Sequence, residues 1–387
     1  MTSDEPPSVP LEFAAAPSGR RTIVRGAGAQ LYDAAGRAYV DLGATHGVGN
    51  LGANPPEIVR AIERQMHELV YLGSGYASPV RTAFLERLLS LLPSSFGSVF
   101  LSNSGTEAVE AAIKVARSVT GRAKVVGAMR GFHGRTMGSL SATWRREFRE
   151  PFEPLVPGFV HVPYNDVPAL EAAVDDSTAL VLLEPVQGEG GVHVASEAYL
   201  HAARAACDRS GALLAFDEVQ CGLGRTGRLF AFERWGVVPD LLLLAKSLAG
   251  GLPIGATVVG REFVHRFRGS HHSTFGGSPL VCAAGLAALD QLVRDRLPER
   301  AERLGAVGLD RLRSLPPAKV REVRGLGLMI GVEFREKVGP IIAGLESRGF
   351  LAIPAGATVL RLLPPLVITD AEWEAGLAAI EEVVAGG

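Results

Sequence analysis

Six compact apolar runs, separated by amphipathic stretches, constrain this sequence more than any other feature. They are Ser98 to Leu101, Lys124 to Ala128, Ala179 to Leu183, Ala212 to Phe216, Leu241 to Ala245 and Ala256 to Val259. Strands that are apolar throughout need cover on both faces, so such runs alternating with helices predict an α/β fold around a parallel sheet. Helical spacing of Ile58, Ile62, Met66 and Leu69 opens this region at about residue 55. Before it, residues 1 to about 20 read as a loose arm, and alternation such as that over Ala38 to Leu42 predicts a small N-terminal sheet. A long helix from Pro279 to Val293 then leads into a shorter pattern of strands and helices, read as a second, smaller domain.

At 387 residues, with 47% hydrophobic and 21% charged, the chain is too large for one simple core. Lys plus Arg number 39 against 41 Asp plus Glu, so the net charge of -2 gives no reason to expect nucleic acid or an anionic membrane as partner. Cys207, Cys221 and Cys282 lack the spacing of a zinc site or a disulfide framework, which points to reduced thiols in a cytoplasm. The start, Met1 to Pro10, has no basic and apolar regions of a secretion signal, and Leu241 to Ala245 is far too short to span a bilayer.

Three features carry chemistry. Ser102-Asn-Ser-Gly-Thr-Glu107 lies between a strand and a helix, Ser104 and Glu107 fit a capping box, and Gly121 fits a helix stop. The free N–H groups of such a first turn suit a phosphate, although an ordinary capped helix has the same pattern. Asp217 and Glu218 stand at the carboxyl end of an apolar strand, where open parallel sheets place ligands. A metal ligand, a general base and a partner for a protonated ring nitrogen are all open to an acid there. Lys246 ends the run Leu241 to Ala245, where burial would favour the neutral amine that attacks an aldehyde, against the commoner fate of snorkelling to solvent. Together they supply what pyridoxal 5'-phosphate (PLP) needs: an amine for its aldehyde, a carboxylate for its ring nitrogen and donors for its phosphate.

With these residues in place, the chain resembles the class III, or ornithine-type, aminotransferases from about Thr22 onward. The resemblance rests on Asn103-Ser-Gly-Thr-Glu-Ala-Val-Glu110, Gly131-Phe-His-Gly-Arg-Thr136, Glu184-Pro-Val-Gln-Gly-Glu-Gly-Gly191, Phe216-Asp-Glu-Val-Gln-Cys-Gly-Leu-Gly-Arg-Thr-Gly227, Leu244-Ala-Lys-Ser-Leu-Ala-Gly-Gly251 and Ser273-Thr-Phe-Gly-Gly277. It implies a fold type I (aspartate aminotransferase-like) α/β architecture. Residues 55–280 would form a large PLP-binding domain with a mostly parallel seven-stranded sheet, and 281–387 a smaller α+β domain against which 1–54 pack.

The resemblance also implies roles. Lys246 would carry the cofactor and act as base and acid, and Asp217 would hold the ring nitrogen. Phe132 and Val219 would press on the two ring faces, and Gln220 would bond the ring hydroxyl. Ser104, Gly105 and Thr106 would cradle the phosphate, while Thr274 would reach it from a neighbouring subunit, making the enzyme a homodimer with shared sites. Arg135 and Arg361 would grip substrate carboxylates, and Glu189 would mask Arg361 when a terminal amine is the donor. His133 is expected either to shape the pocket or to be structural, and His271 and His272 to order the loop before Thr274, with no metal.

Within the family the likeness is to acetylornithine aminotransferases and to their relatives in lysine biosynthesis, which act on lysine held by a small acidic amino-group carrier protein. Met129 to Leu140, Ser141-Ala-Thr-Trp144 and Arg149-Glu-Pro-Phe152 resemble the lysine branch. The expected reaction moves a terminal amino group of an acylated diamino acid to 2-oxoglutarate, giving a semialdehyde and glutamate. Ala53 and the segment Tyr71 to Ser78 depart from the acetylornithine pattern. The donor therefore stays open between free acetylornithine and carrier-linked lysine or ornithine. Other readings are a different ω-aminotransferase, using 4-aminobutyrate or ornithine, an aminomutase, and an inactive PLP-binding regulator.

Overall fold

The computed structural model describes residues 21–73 and 75–386. The expected arm over residues 1–20 lies outside them. A seven-stranded sheet forms the centre, in the order Phe96–Ser102, Gly255–Gly260, Leu241–Leu244, Leu213–Asp217, Thr178–Leu183, Lys124–Ala128 and Phe159–Val162. Six of the strands are the six apolar runs, each shifted by no more than two residues at an end. Thr178–Leu183 and Leu241–Leu244 are buried along their whole length, as a sheet covered on both faces requires.

The mostly parallel seven-stranded sheet that the resemblance implies is present, and two details add to what the apolar runs show. Gly255–Gly260 runs antiparallel to both its neighbours, because a uniformly apolar strand carries no mark of its direction. The seventh strand is Phe159–Val162, which the six apolar runs do not mark. It is a half-buried edge strand with a polar His161 in a short run, and it pairs only with Lys124–Ala128.

The helix Pro56–Glu68 splits its apolar stripe: Ile58 is buried, whereas Met66 and the following Leu69 are 55% and 43% exposed. Gln65 is buried instead and donates to the carbonyl of Leu69. The long helix Pro279–Arg294 packs across Pro56–Glu68 and Pro79–Ser90.

An N-terminal sheet of Ile23–Ala27, Gln30–Asp33 and Ala38–Asp41 is completed by Phe350–Leu351, so the two ends of the chain share a sheet. A third sheet, Val320–Leu326, Met329–Phe334, Val359–Leu362 and Ile353–Pro354, carries Arg361 in its interior. Helices Leu297–Arg313 and Asp370–Gly386 cover it, joined by a bond from the indole of buried Trp373 to the carbonyl of Leu304. No described helix is long and apolar enough to cross a membrane.

Candidate active site

Three neighbouring parallel strands lead into charged residues: Leu213–Asp217 ends in Asp217, Glu184 lies one residue past Thr178–Leu183, and Lys246 two residues past Leu241–Leu244. All three side chains line one cavity of about 490 Å³, together with Ser104, Gly105, Thr106, Phe132, Arg135, Glu189, Val219 and Gln220. The carboxyl ends of a parallel sheet are where such a cavity is expected.

Lys246 faces this cavity and is not a snorkelling surface lysine. Burial pulls its ammonium below the ordinary lysine value, against the opposing charges of Glu189 and Asp217. Its backbone holds φ +42°, a left-handed conformation that lysine seldom adopts and that only surrounding packing can enforce. Asp217 is buried, and its Oδ2 lies 2.8 Å from Nδ1 of His133, itself 3% exposed. Burial opposes a charge on His133, but the bond to Asp217 and the charges of Asp217 and Glu184 lift its pKa above the usual value. His133 thus belongs to the site, fixing the carboxylate from behind.

Glu218, the other acid of the pair, turns away. It accepts from the N–H groups of Ala231 and Phe232 at 2.6 and 2.8 Å, and burial pushes its carboxyl up to about 8.

The cradle is built by the helix Gly105–Thr120. Ser104 caps it, accepting from the Glu107 N–H at 3.4 Å, and Gly121 ends it in a left-handed turn at φ +70°. The expected capping box is only half formed, because the Glu107 carboxylate reaches past Ser104 to the N–H of Asn103 at 3.0 Å. Among the described residues the N–H groups of Gly105 and Thr106 donate to no protein acceptor, leaving two donors at a helix N-terminus aimed into the cavity mouth. Glycine is required beneath them: a Cβ on Gly255 would sit 2.1 Å from the Ser104 carbonyl oxygen. The Thr106 hydroxyl is engaged by its neighbours, 2.6 Å from Ser139 Oγ and 2.9 Å from Thr136 Oγ1.

Arg361 is fully buried at the cavity edge. Its Nη1 lies 2.6 Å from Oε1 of Glu189 and 3.1 Å from Oε1 of Gln220, and its Nη2 3.3 Å from Nδ1 of His46. Burial works against the charge of Glu189, yet His46 and Arg361 hold its carboxyl well below the usual carboxylate range. Gln220 donates its amide N–H to the carbonyl of His46 at 3.3 Å, so both its ends are tied to the Arg361 side of the cavity.

The residues the sequence pointed to thus come together, except Glu218 and Thr274. Thr274 is exposed, lies outside the cavity lining and has its carbonyl bonded by the Tyr71 hydroxyl. Sequence reasoning gave no individual role to Glu184 or His46. The rule that singled out Asp217, an acid at the end of an apolar strand, would have found Glu184; nothing in the sequence marks His46.

An amine whose charge burial disfavours, a buried acid on the adjacent strand and two unpaired N–H donors fit PLP, whose ring acts when bound as a sink for the electron pair left by proton removal. Comparison with known proteins agrees. The chain is 47% identical over 366 residues, 94% of each chain, to the acetylornithine aminotransferase of Methanopyrus kandleri. It is 44% identical, over 94% of this chain and 85% of the relative, to the [LysW]-aminoadipate semialdehyde transaminase of Deinococcus radiodurans. The ornithine aminotransferase of Toxoplasma gondii, solved with partial PLP occupancy at its active site, superposes with a TM-score of 0.92 at 35% identity, covering 97% of this chain and 92% of that one. A family model for class-III aminotransferases matches residues 14–384, and the chain belongs to that family of PLP-dependent transaminases.

Proposed function

We propose that this transaminase moves the terminal amino group of an acylated diamino acid, N-acetylornithine or a carrier-linked lysine or ornithine, to 2-oxoglutarate. The observation that carries the reading is the pairing of buried Arg361 with the half-buried Glu189, 2.6 Å apart at the rim of the cavity that holds Lys246 and Asp217. A donor that presents only a terminal amine leaves Arg361 nothing to bind, and Glu189 neutralises the guanidinium in place. A dicarboxylate brings its own counter-charge, and with Glu189 displaced the planar guanidinium is free for a bidentate pair. One site then serves two unlike substrates.

The chain's residues divide the work. Lys246 is the amine that would hold the cofactor, and its Nζ takes and returns the proton at the reacting carbon. Asp217, braced by His133, would pair with the ring nitrogen. Phe132 and Val219 would lie against the two ring faces and keep water from them. Gly105 and Thr106 offer their N–H groups to the phosphate, and Gln220 would turn its amide to the ring hydroxyl. Arg135, exposed in the cavity lining with its guanidinium 4.8 Å from the centre of the Phe148 ring, would meet the donor's own carboxylate.

Half-reactions test this. Glutamate alone should convert the bound cofactor to its aminated form, and Lys246→Ala should abolish that conversion. Arg361→Ala should slow the glutamate and 2-oxoglutarate half-reaction at least about tenfold while sparing the amine-donor one, about one charged hydrogen bond in size. Equal losses in both half-reactions refute the charge switch.

A carrier protein as the bearer of the donor is supported by a groove of about 610 Å³ beside the gate, lined by Arg130, Trp144, Arg145, Arg146 and Arg149 together with Glu147, Glu153 and Gly190. Among the described residues only Arg146 of these four arginines has a carboxylate partner, Glu150, and Arg145 lies 3.4 Å from the carbonyl of Glu189. Such a surface suits a small acidic protein. Reversing Arg146 and Arg149 to Glu together should raise KM for a carrier-linked donor about tenfold or more, with a steep salt dependence in the parent enzyme, and leave free acetylornithine unaffected.

A homodimer with shared sites is supported by the ring of exposed apolar residues around Thr274. Leu69, Val70, Tyr71, Tyr76 and Phe275 are 42% to 73% exposed, and the Tyr71 and Phe275 rings lie 5.2 Å apart. A second copy seated there would cover them and carry its Thr274 toward the neighbouring cradle. The three buried free cysteines fit a cytoplasmic location.

A further inference from the structure

Two loops frame the cavity: the one bearing Phe132, which would lie against the cofactor ring, and the one bearing Glu189, which masks Arg361. Between them sits the carboxylate of Glu184, 6% exposed. Its Oε1 accepts from the Phe132 N–H at 2.9 Å and its Oε2 from the Gly188 N–H at 3.0 Å. Each oxygen therefore holds one loop. Its own carbonyl accepts from the Tyr164 hydroxyl at 2.7 Å, which fixes the base of the clamp.

The same loops are joined again nearby. Gln187 donates its amide to the carbonyl of Met129 at 2.8 Å, and a Cβ on Gly190 would lie 2.5 Å from the carbonyl oxygen of Arg130, so backbone meets backbone. Arg130 and Val192, at the outer ends of the pair, hold φ +67° and +59°. For a β-branched valine that is a strained conformation which persists only where its surroundings over-determine it.

We propose that Glu184 is a positioning residue that locks the ring-facing loop to the charge-switch loop, so that Glu189 covers Arg361 only while Phe132 is in place. The inference rests on the charge-switch reading of Glu189 and Arg361. It makes donor recognition depend on a carboxylate whose bonds go to the two loops and not to Arg361. A glutamine cannot replace it, because its one oxygen accepts from one loop while its NH₂ group faces the N–H of the other.

The test compares Glu184→Gln with Glu189→Ala in the holoenzyme, using N-acetylornithine and 2-oxoglutarate as probes. In Glu184→Gln, backbone amide hydrogen exchange should quicken in peptides covering both 128–134 and 184–191, with cooperative unfolding retained. KM for N-acetylornithine should rise about tenfold, the scale of one hydrogen bond to a charged group, while KM for 2-oxoglutarate stays within about twofold. Glu184→Asp, which keeps the charge but shortens the reach, serves if the glutamine variant does not fold, and should free at least one loop with the same KM pattern.

Unchanged exchange in both loops overturns the clamp, and equal KM shifts for the two substrates overturn its selective role. If Glu189→Ala leaves KM for N-acetylornithine unchanged, it is the charge switch that fails, and the clamp is then judged by exchange alone.

Discussion

At Lys246 and Glu218 the same burial acts on opposite charges, and the outcomes differ because of what each side chain faces. The lysine opens onto the cavity, where burial disfavours the charged form of an amine that can reach an aldehyde. The glutamate is shut in against two backbone N–H groups and is pushed up to about 8. Since Glu218 titrates higher in the folded protein than in the unfolded chain, the folded state binds the extra proton, and stability falls as pH rises from the ordinary glutamate value toward about 8. Glu218→Gln should flatten that fall, as read by urea denaturation of the holoenzyme between about pH 5 and pH 8. Lys246 and Asp217 were legible because a charged residue ending an apolar strand is a local contradiction that the sequence displays. His46 was not: it reaches Arg361 from a turn in which Ala44, Thr45 and His46 all hold positive φ, a conformation no local pattern announces.

Among the elements, the cradle depends on strand Gly255–Gly260 as much as on its own helix. Gly255 is paired with Ser102 and passes directly under Ser104, so a methyl group there would push the capping residue outward. Gly255→Ala should lower stability by about 1–3 kcal/mol, the usual cost of overpacking, and weaken cofactor binding disproportionately. Urea midpoints and cofactor titration separate the two effects; a stability loss with unchanged cofactor affinity would show that the cradle does not lean on this strand. Apolar runs told where six strands lie, but the direction of Gly255–Gly260 and the presence of Phe159–Val162 were hidden. Direction is set by how the chain returns to the sheet, and a half-buried edge strand has too little apolar surface to stand out.

For the whole molecule, the sequence stripe of Ile58, Ile62, Met66 and Leu69 was a mixture of two surfaces. Ile58 serves the interior, while Met66 and Leu69 stay exposed beside Val70, Tyr71 and Phe275, and the periodicity does not say which partner an apolar residue awaits. Leu69→Glu combined with Val70→Asp should shift the protein toward monomer in sedimentation and lower turnover at least about tenfold, since charges are costly at the centre of an interface. A monomer with full activity would rule out shared sites. The row of strand ends also has a bearing on how such an enzyme changes over time. Neighbouring strands lie about 4.8 Å apart in any sheet, so the strand ends from which Glu184, Asp217 and Lys246 are presented take their spacing from the ladder of backbone bonds. Insertions and exchanges further out in the loops can therefore retune which molecules enter while the strand ends behind Asp217 and Lys246 keep their distances, and new appetites can arise without the chemistry being invented again.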